Sequence, residues 1–243
     1  MVNAAATIHY YYDPMCGWCF GASPLIEHLK TRQDIRLVLH PGGLFHNRAL
    51  DKNTRAHFLE SDQRIQSLSG VVFGPSYQAK MREADTVVLD SMLPIRAILA
   101  AEQCGFPATE MLKLIQLAHY QQGKTVHDPA VLAELADTMG IEADIWQATF
   151  AATNEQDVIS ASIRQMMQYQ LQGYPSMVVE KQGQWQSVPV PVPVPVQSFF
   201  GKLDAWDSFL NHLSETDTNQ SKSVIRNSAG KMFENKADFL DKS

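Results

Sequence analysis

No uninterrupted apolar run in this chain approaches the ~20 residues needed to span a bilayer. An excess of positive charge is also missing. The 26 acidic residues outnumber the 20 basic ones, for a net charge of −6, so the chain carries no electrostatic footprint for nucleic acid or an anionic membrane surface. Cysteine is scarce: 3 in 243 residues are too few for a disulfide framework. No second Cys-x-x-Cys and no His-x-x-x-His accompany the one close pair, and Cys104 alone does not complete a zinc site. The opening Met1-Val2-Asn3-Ala4-Ala5-Ala6 has neither the basic nor the apolar segment of a signal peptide, so the expected location is cytoplasmic.

What is present is an ordinary globular composition, 45% apolar and 19% charged, on a chain long enough to bury a sizeable core. One short segment is exceptional: Cys16-Gly17-Trp18-Cys19. It follows the aromatic, β-prone run Thr7 to Tyr12 and precedes an apolar helical repeat. Cysteines at i and i+3 on the first turn of a helix can close into a small disulfide ring. The first sulfur also lies where free backbone N–H groups and the helix dipole favour negative charge. A free thiol titrates near 8.5 and helix N-termini lower that figure, so thiolate character is expected at Cys16. A reactive thiol beside a resolving partner is the minimum equipment for thiol–disulfide exchange.

Along the chain, Ile8 to Tyr12 predicts a buried strand. Ala22, Leu25, Ile26 and Leu29 fall at i, i+3, i+4 and i+7 and give a helix one apolar face, with Pro24 expected to kink it. Ile35 to Leu39 alternates as a second strand, ended by His40-Pro41-Gly42-Gly43, so the strand–helix–strand order predicts a right-handed parallel unit. From about residue 50 to 172 the pattern is helical only, including Asp128-Pro129 as N-cap and first-turn proline, which predicts a bundle-like insertion. Strand character returns after Gly173-Tyr174-Pro175, where Met177 to Glu180 and Trp185 to Val188 predict a hairpin. Phe199, Leu203, Trp206, Leu210 and Leu213 predict a last amphipathic helix. Alternating Val188 to Pro195 is expected to be a stiff spacer without function, because its prolines deny regular donors to a sheet. The polar residues after Leu213 are expected to form a mobile tail. The expected class is α/β, with one domain split over residues 1–47 and 173–213, an all-helical insertion over 48–172, and a tail over 214–243.

Tyr11-Tyr12-Asp13-Pro14-Met15-Cys16-Gly17-Trp18-Cys19-Phe20-Gly21, His40-Pro41-Gly42-Gly43-Leu44 and the late Gly173-Tyr174-Pro175 resemble the DsbA-like branch of the thioredoxin superfamily. More narrowly they resemble its FrnE-type group, over about residues 7 to 213. The resemblance implies a thioredoxin-like fold, a central mixed sheet with flanking helices, interrupted by the helical insertion. Cys16 would be the exposed nucleophile and Cys19 the buried resolving thiol. Pro175 would follow a cis peptide bond and face the pair, and the backbone of Tyr174 would pair with an extended substrate segment. The implied activity is that of a thiol:disulfide oxidoreductase or isomerase acting on protein, peptide or small-molecule disulfides. It needs no cofactor beyond the redox-active disulfide, with glutathione as a candidate electron donor. Two positions depart from the family pattern. Six residues before Cys16, where such proteins bury an acid that exchanges a proton with the second thiol, stands Tyr10, whose phenol is a poor base at pH 7. That leaves water, His40 or another group for the task. The dipeptide Gly17-Trp18 lacks the histidine of the periplasmic oxidant, and Asp13 would oppose a nearby thiolate, so a less oxidising couple is expected.

Other residues have plainer explanations. Trp18 either contacts unfolded substrates or covers the disulfide. His40 fits a strand-end histidine with a local hydrogen bond, Cys104 a buried small hydrophobe and His127-Asp128 a helix cap. Two other functions compete with the redox reading. One is a glutathione-dependent transferase or isomerase of the kappa-class or hydroxychromene-carboxylate isomerase type, which usually carries serine at the catalytic position, so Cys19 weighs against it. The other is a noncatalytic interaction protein using the helical lobe and the Val-Pro segment.

Overall fold

The computed structural model describes residues 4–181 and 192–214. Strand β1 (Ala6–Tyr12) leads through Asp13-Pro14-Met15 into helix α1 (Gly17–Gly21), then α2 (Ser23–Leu29) and strand β2 (Ile35–Pro41). Pro24 does more than kink a helix. It lies in the first turn of α2, where its missing N–H costs nothing, and Ala22 separates two helices.

The insertion comprises β3 (Arg48–Leu50), α3 (Lys52–Ser69), α4 (Pro75–Glu83), β4 (Val87–Leu89), α5 (Met92–Gln103), α6 (Ala108–Tyr120), α7 (Pro129–Thr138), α8 (Ala143–Ala152) and α9 (Glu155–Gln168). It is not all-helical as expected. β3 and β4 pair antiparallel, Ala49 opposite Val88, in a separate two-stranded sheet. Each strand is only 3 residues long, too short for a two-residue hydrophobic period to register in sequence. Asp51 caps α3 by accepting from the Thr54 N–H, and Asp128 caps α7 by accepting from the Ala130 N–H. Cys104 ends α5 and is half-buried, less enclosed than expected.

The chain then returns as β5 (Ser176–Lys181), β6 (Val192–Val194), a short 3-10 turn over Val196–Phe199 and α10 (Leu203–Ser214). The strand order is β2-β1-β5-β6, with β1 parallel to β2 and antiparallel to β5, and β5 antiparallel to β6. Residues 192–194 of the supposed spacer therefore form an edge strand, with Val178 opposite Pro193. Successive N–H groups of a strand point to opposite edges, so prolines at every second position remove donors from one edge only. The valine donors stay on the other edge, and the prolines are tolerated on an outer strand. The expected second hairpin strand, Trp185 to Val188, and the tail beyond residue 214 lie outside the described residues.

Five residues of β1 (Ala6, Ile8, Tyr10, Tyr11 and Tyr12) are fully buried, as a central strand covered on both faces should be. Alternation sorts its rings. Tyr10 and Tyr12 stack on each other, and Tyr10 faces α1. Tyr11 faces the opposite side, where its hydroxyl donates to Gln165 of α9 at 3.2 Å. On the α2 side, the fully buried Trp206 of α10 donates its indole N–H to the Leu25 carbonyl at 3.2 Å.

Candidate active site

The turn that presents the thiols is built around a buried carboxylate. Asp13 is fully buried, and it accepts from the Met15 N–H at 2.8 Å, the Leu44 N–H at 2.6 Å and the Ser91 hydroxyl at 2.9 Å. One side chain thus ties the approach to α1, the loop after β2 and the start of α5 together. Burial outweighs those three donors and pushes the Asp13 carboxyl up to about 6. Cys16 occupies the N-cap position of α1, and its carbonyl accepts from the N–H groups of Cys19 at 2.9 Å and Phe20 at 3.0 Å.

Both thiols are free. Cys16 is 7% exposed and Cys19 1%, so both thiols are buried and Cys16, though the less covered of the two, is not the exposed thiol the resemblance implied. The Cys19 sulfur accepts from the Asp13 N–H at 3.5 Å, and the Tyr10 hydroxyl donates to the Cys19 carbonyl at 3.5 Å. Burial first, then the neighbouring Cys16, raises the Cys19 thiol well above its ordinary range.

Across from the thiols, the Tyr174–Pro175 peptide bond is cis, and the Cys16 thiol donates to the Tyr174 carbonyl at 3.7 Å. Residues 158 positions apart in sequence therefore meet at one sulfur. The Tyr174 ring lies against Gly42, where a Cβ would stand 2.0 Å from the ring Cζ and 2.2 Å from the hydroxyl. Only glycine leaves room for that ring. The sequence contained the signal, His40-Pro41-Gly42-Gly43, but not the partner.

His40 sits on the wrong face of the sheet to serve Cys19. It stacks on Tyr11 at 4.5 Å, on the side away from Tyr10, and hydrogen-bonds His9 at 2.9 Å. His9 in turn meets Glu180 at 3.1 Å. Burial and then His9 push His40 down to about 4, which leaves it neutral at pH 7.

A cavity of about 210 Å³ opens beside Cys16 and Trp18, walled mainly by apolar side chains of β4, α3, α4 and α6. Trp18 is half-buried between Phe200, at 6.2 Å, and the Arg64 guanidinium, 5.8 Å over its ring. Asp62 and His119 also reach this cavity, and sequence reasoning passed over both, because neither has a local partner that marks it. Among the described residues, no group of three or more His, Cys, Asp or Glu could hold a metal ion. No helix among them is long and apolar enough to cross a membrane.

The family model of the DSBA-like thioredoxin domain matches residues 7–193. The chain belongs to that family. The cytosolic disulfide reductase DsbM from Pseudomonas aeruginosa is 31% identical, with a TM-score of 0.76 over 85% of this chain and 97% of that one. DsbM solved with GSH is similar at 30% identity and a TM-score of 0.74, over 85% and 98% of the two chains. A curated relative, the ClpXP adapter protein SpxH of Bacillus subtilis (strain 168), is 27% identical over 139 residues, 56% of this chain. That match spans 46% of SpxH, less than half its length. The fold is accordingly thioredoxin-like, and the family chemistry is that of disulfide oxidoreductases.

Proposed function

We propose that Cys16 and Cys19 form a dithiol/disulfide couple that reduces or rearranges disulfides of proteins, peptides and small molecules in the cytoplasm, with glutathione as electron donor. Cys16 attacks a substrate sulfur, one substrate thiolate leaves, and a mixed disulfide remains on Cys16. Cys19 then gives up its proton and attacks the Cys16 sulfur, which releases the second substrate thiol and leaves a Cys16–Cys19 disulfide. Asp13 is positioned to take the Cys19 proton through a bridging water. Its backbone N–H donates to the Cys19 sulfur at 3.5 Å, its carboxyl oxygens are held by Met15, Leu44 and Ser91, and its value of about 6 suits exchange near neutrality. The backbone of Tyr174 pairs with an extended substrate, and Trp18 and Pro175 flank the bound sulfur.

The observation that carries this reading is the 3.7 Å contact between the Cys16 thiol and the Tyr174 carbonyl, with Cys19 buried behind it. Similarity to a cytosolic disulfide reductase, solved also with GSH, supports the reducing direction, the compartment and the donor. Insulin reduction driven by glutathione tests it. Wild type should be active and Cys16→Ser inactive, and equal activity in the two would refute the proposal.

A further inference from the structure

The cavity beside Cys16 contains a carboxylate that the exchange steps do not use. Asp62 of α3 is 94% buried by its relative exposure of 6%. Its Oδ2 accepts from the Tyr77 hydroxyl at 2.8 Å. Its Oδ1 has no hydrogen-bond donor among the described residues and stands 2.9 Å from where a Cβ on Gly17 would be, next to Cys16. That oxygen is open to the cavity, where water or the donor of a ligand can meet it.

The other groups around it do not supply that donor. Tyr77 of α4 is committed to Oδ2. His119 of α6 is pushed down to about 3, chiefly by burial, so it brings no cation to Oδ1, and no hydrogen bond joins its ring to that oxygen among the described residues. The Tyr120 phenol of α6 makes no hydrogen bond to Oδ1 among the described residues, and His57 on α3 lies at the cavity's exposed rim. Arg64 of α3 rests on Trp18. The Ser61 hydroxyl of α3 also lines the cavity and makes no hydrogen bond to Oδ1 among the described residues; most of the remaining wall is apolar, including Ile65, Met81 and Leu89. Such a pocket fits a short apolar stem with a cationic end and disfavours a carboxylate.

We propose that this cavity is a subsite for one half of a small aminothiol disulfide, its ammonium on Asp62 Oδ1 and its sulfur against Cys16. The inference deepens the reductase reading and rests on it. The dithiol form of the protein would take up one disulfide molecule, become the Cys16–Cys19 disulfide and release two thiols, so electrons balance in a single turnover without an external reductant.

Three disulfides of similar length test it: cystamine, bis(2-hydroxyethyl) disulfide and 3,3′-dithiodipropionate. Each single-turnover rate with prereduced protein is divided by its rate with dithiothreitol, which removes intrinsic differences in leaving group. Wild type should prefer cystamine over the neutral disulfide at least about tenfold at pH 8, roughly 1.4 kcal/mol, and the anionic one should be slowest. The preference should grow from pH 6 to 8 as Asp62 ionises and should collapse in Asp62→Asn. Tyr77→Phe keeps the carboxylate but removes a bond that favours its charge, so the onset of the preference should move to higher pH. A uniform rate profile in wild type, or a preference surviving Asp62→Asn, overturns the proposal. Calorimetry of cystamine on Cys16→Ser separates the two readings. Binding weakened by Asp62→Asn supports the subsite even if no disulfide is reduced, whereas reduction of all three disulfides with no cystamine binding overturns the subsite alone.

Discussion

Replacing Asp62 by Asn should stabilise the protein at alkaline pH and leave it nearly unchanged at pH 4. The carboxyl is 6% exposed, and burial pushes it up to about 7 although the Tyr77 hydroxyl favours its charge. In the unfolded chain an aspartate titrates near 3.9. The folded state therefore binds the extra proton more tightly, and stability from this group is fully present below about pH 4 and is lost as pH rises through about 7. The gap of about 3 pH units, at about 1.36 kcal/mol each, sets an upper limit of about 4 kcal/mol on the cost of ionising Asp62 in place. Asparagine pays no ionisation cost and can still accept from Tyr77. Urea unfolding of the dithiol protein at pH 4, 6 and 8 should show wild type and Asp62→Asn converging at pH 4, with the variant more stable by up to about 4 kcal/mol at pH 8. A constant difference between the two across that range would show that Asp62 does not titrate as a buried acid, and the reasoning would fail.

Gly42→Ala places a methyl 2.0 Å from the Tyr174 ring, which should cost about 1–3 kcal/mol in stability and displace the loop that meets Cys16. The double variant with Tyr174→Ala should be less destabilised than the sum of the singles, as a denaturation cycle would show. Arg96 holds the buried Glu155 by two bonds of 2.7 and 2.8 Å. Arg96→Ala strands that carboxylate and should cost about 3 kcal/mol in urea unfolding. Asp13→Asn should slow resolution of a mixed disulfide about tenfold or more and abolish the rate inflection near pH 6, whereas a purely structural role would leave the inflection in place.

Features with a local signature were legible. Strand β1 announced itself by aromatic and β-branched content, the thiol pair by its spacing, and the late proline loop by Gly173-Tyr174-Pro175. What escaped depends on chain segments meeting over long range. Asp13 was legible as a charge opposing a nearby thiolate, and it does help raise the Cys19 thiol, but its structural role was not legible. Its three donors, one of them Ser91 at 78 residues' distance, appear only when the insertion docks. Gly42 matters because of a ring 132 positions later in the chain, and Asp62 because α3 carries it under Gly17. The two-stranded sheet failed for another reason, its strands being shorter than any periodic signal. The Val-Pro run misled because proline spacing was weighed against both edges of a strand when only one needs donors.

The exchange mechanism requires Cys16 to capture a substrate that Cys19 then displaces. Incubating reduced Cys19→Ser with an equimolar disulfide-bonded peptide and reading the intact mass and the modified site addresses this directly. One peptide per chain, attached at Cys16 and stable until a thiol is added, is the predicted result. Attachment at Cys104 instead, or equal capture by Cys16→Ser through Cys19, would contradict it.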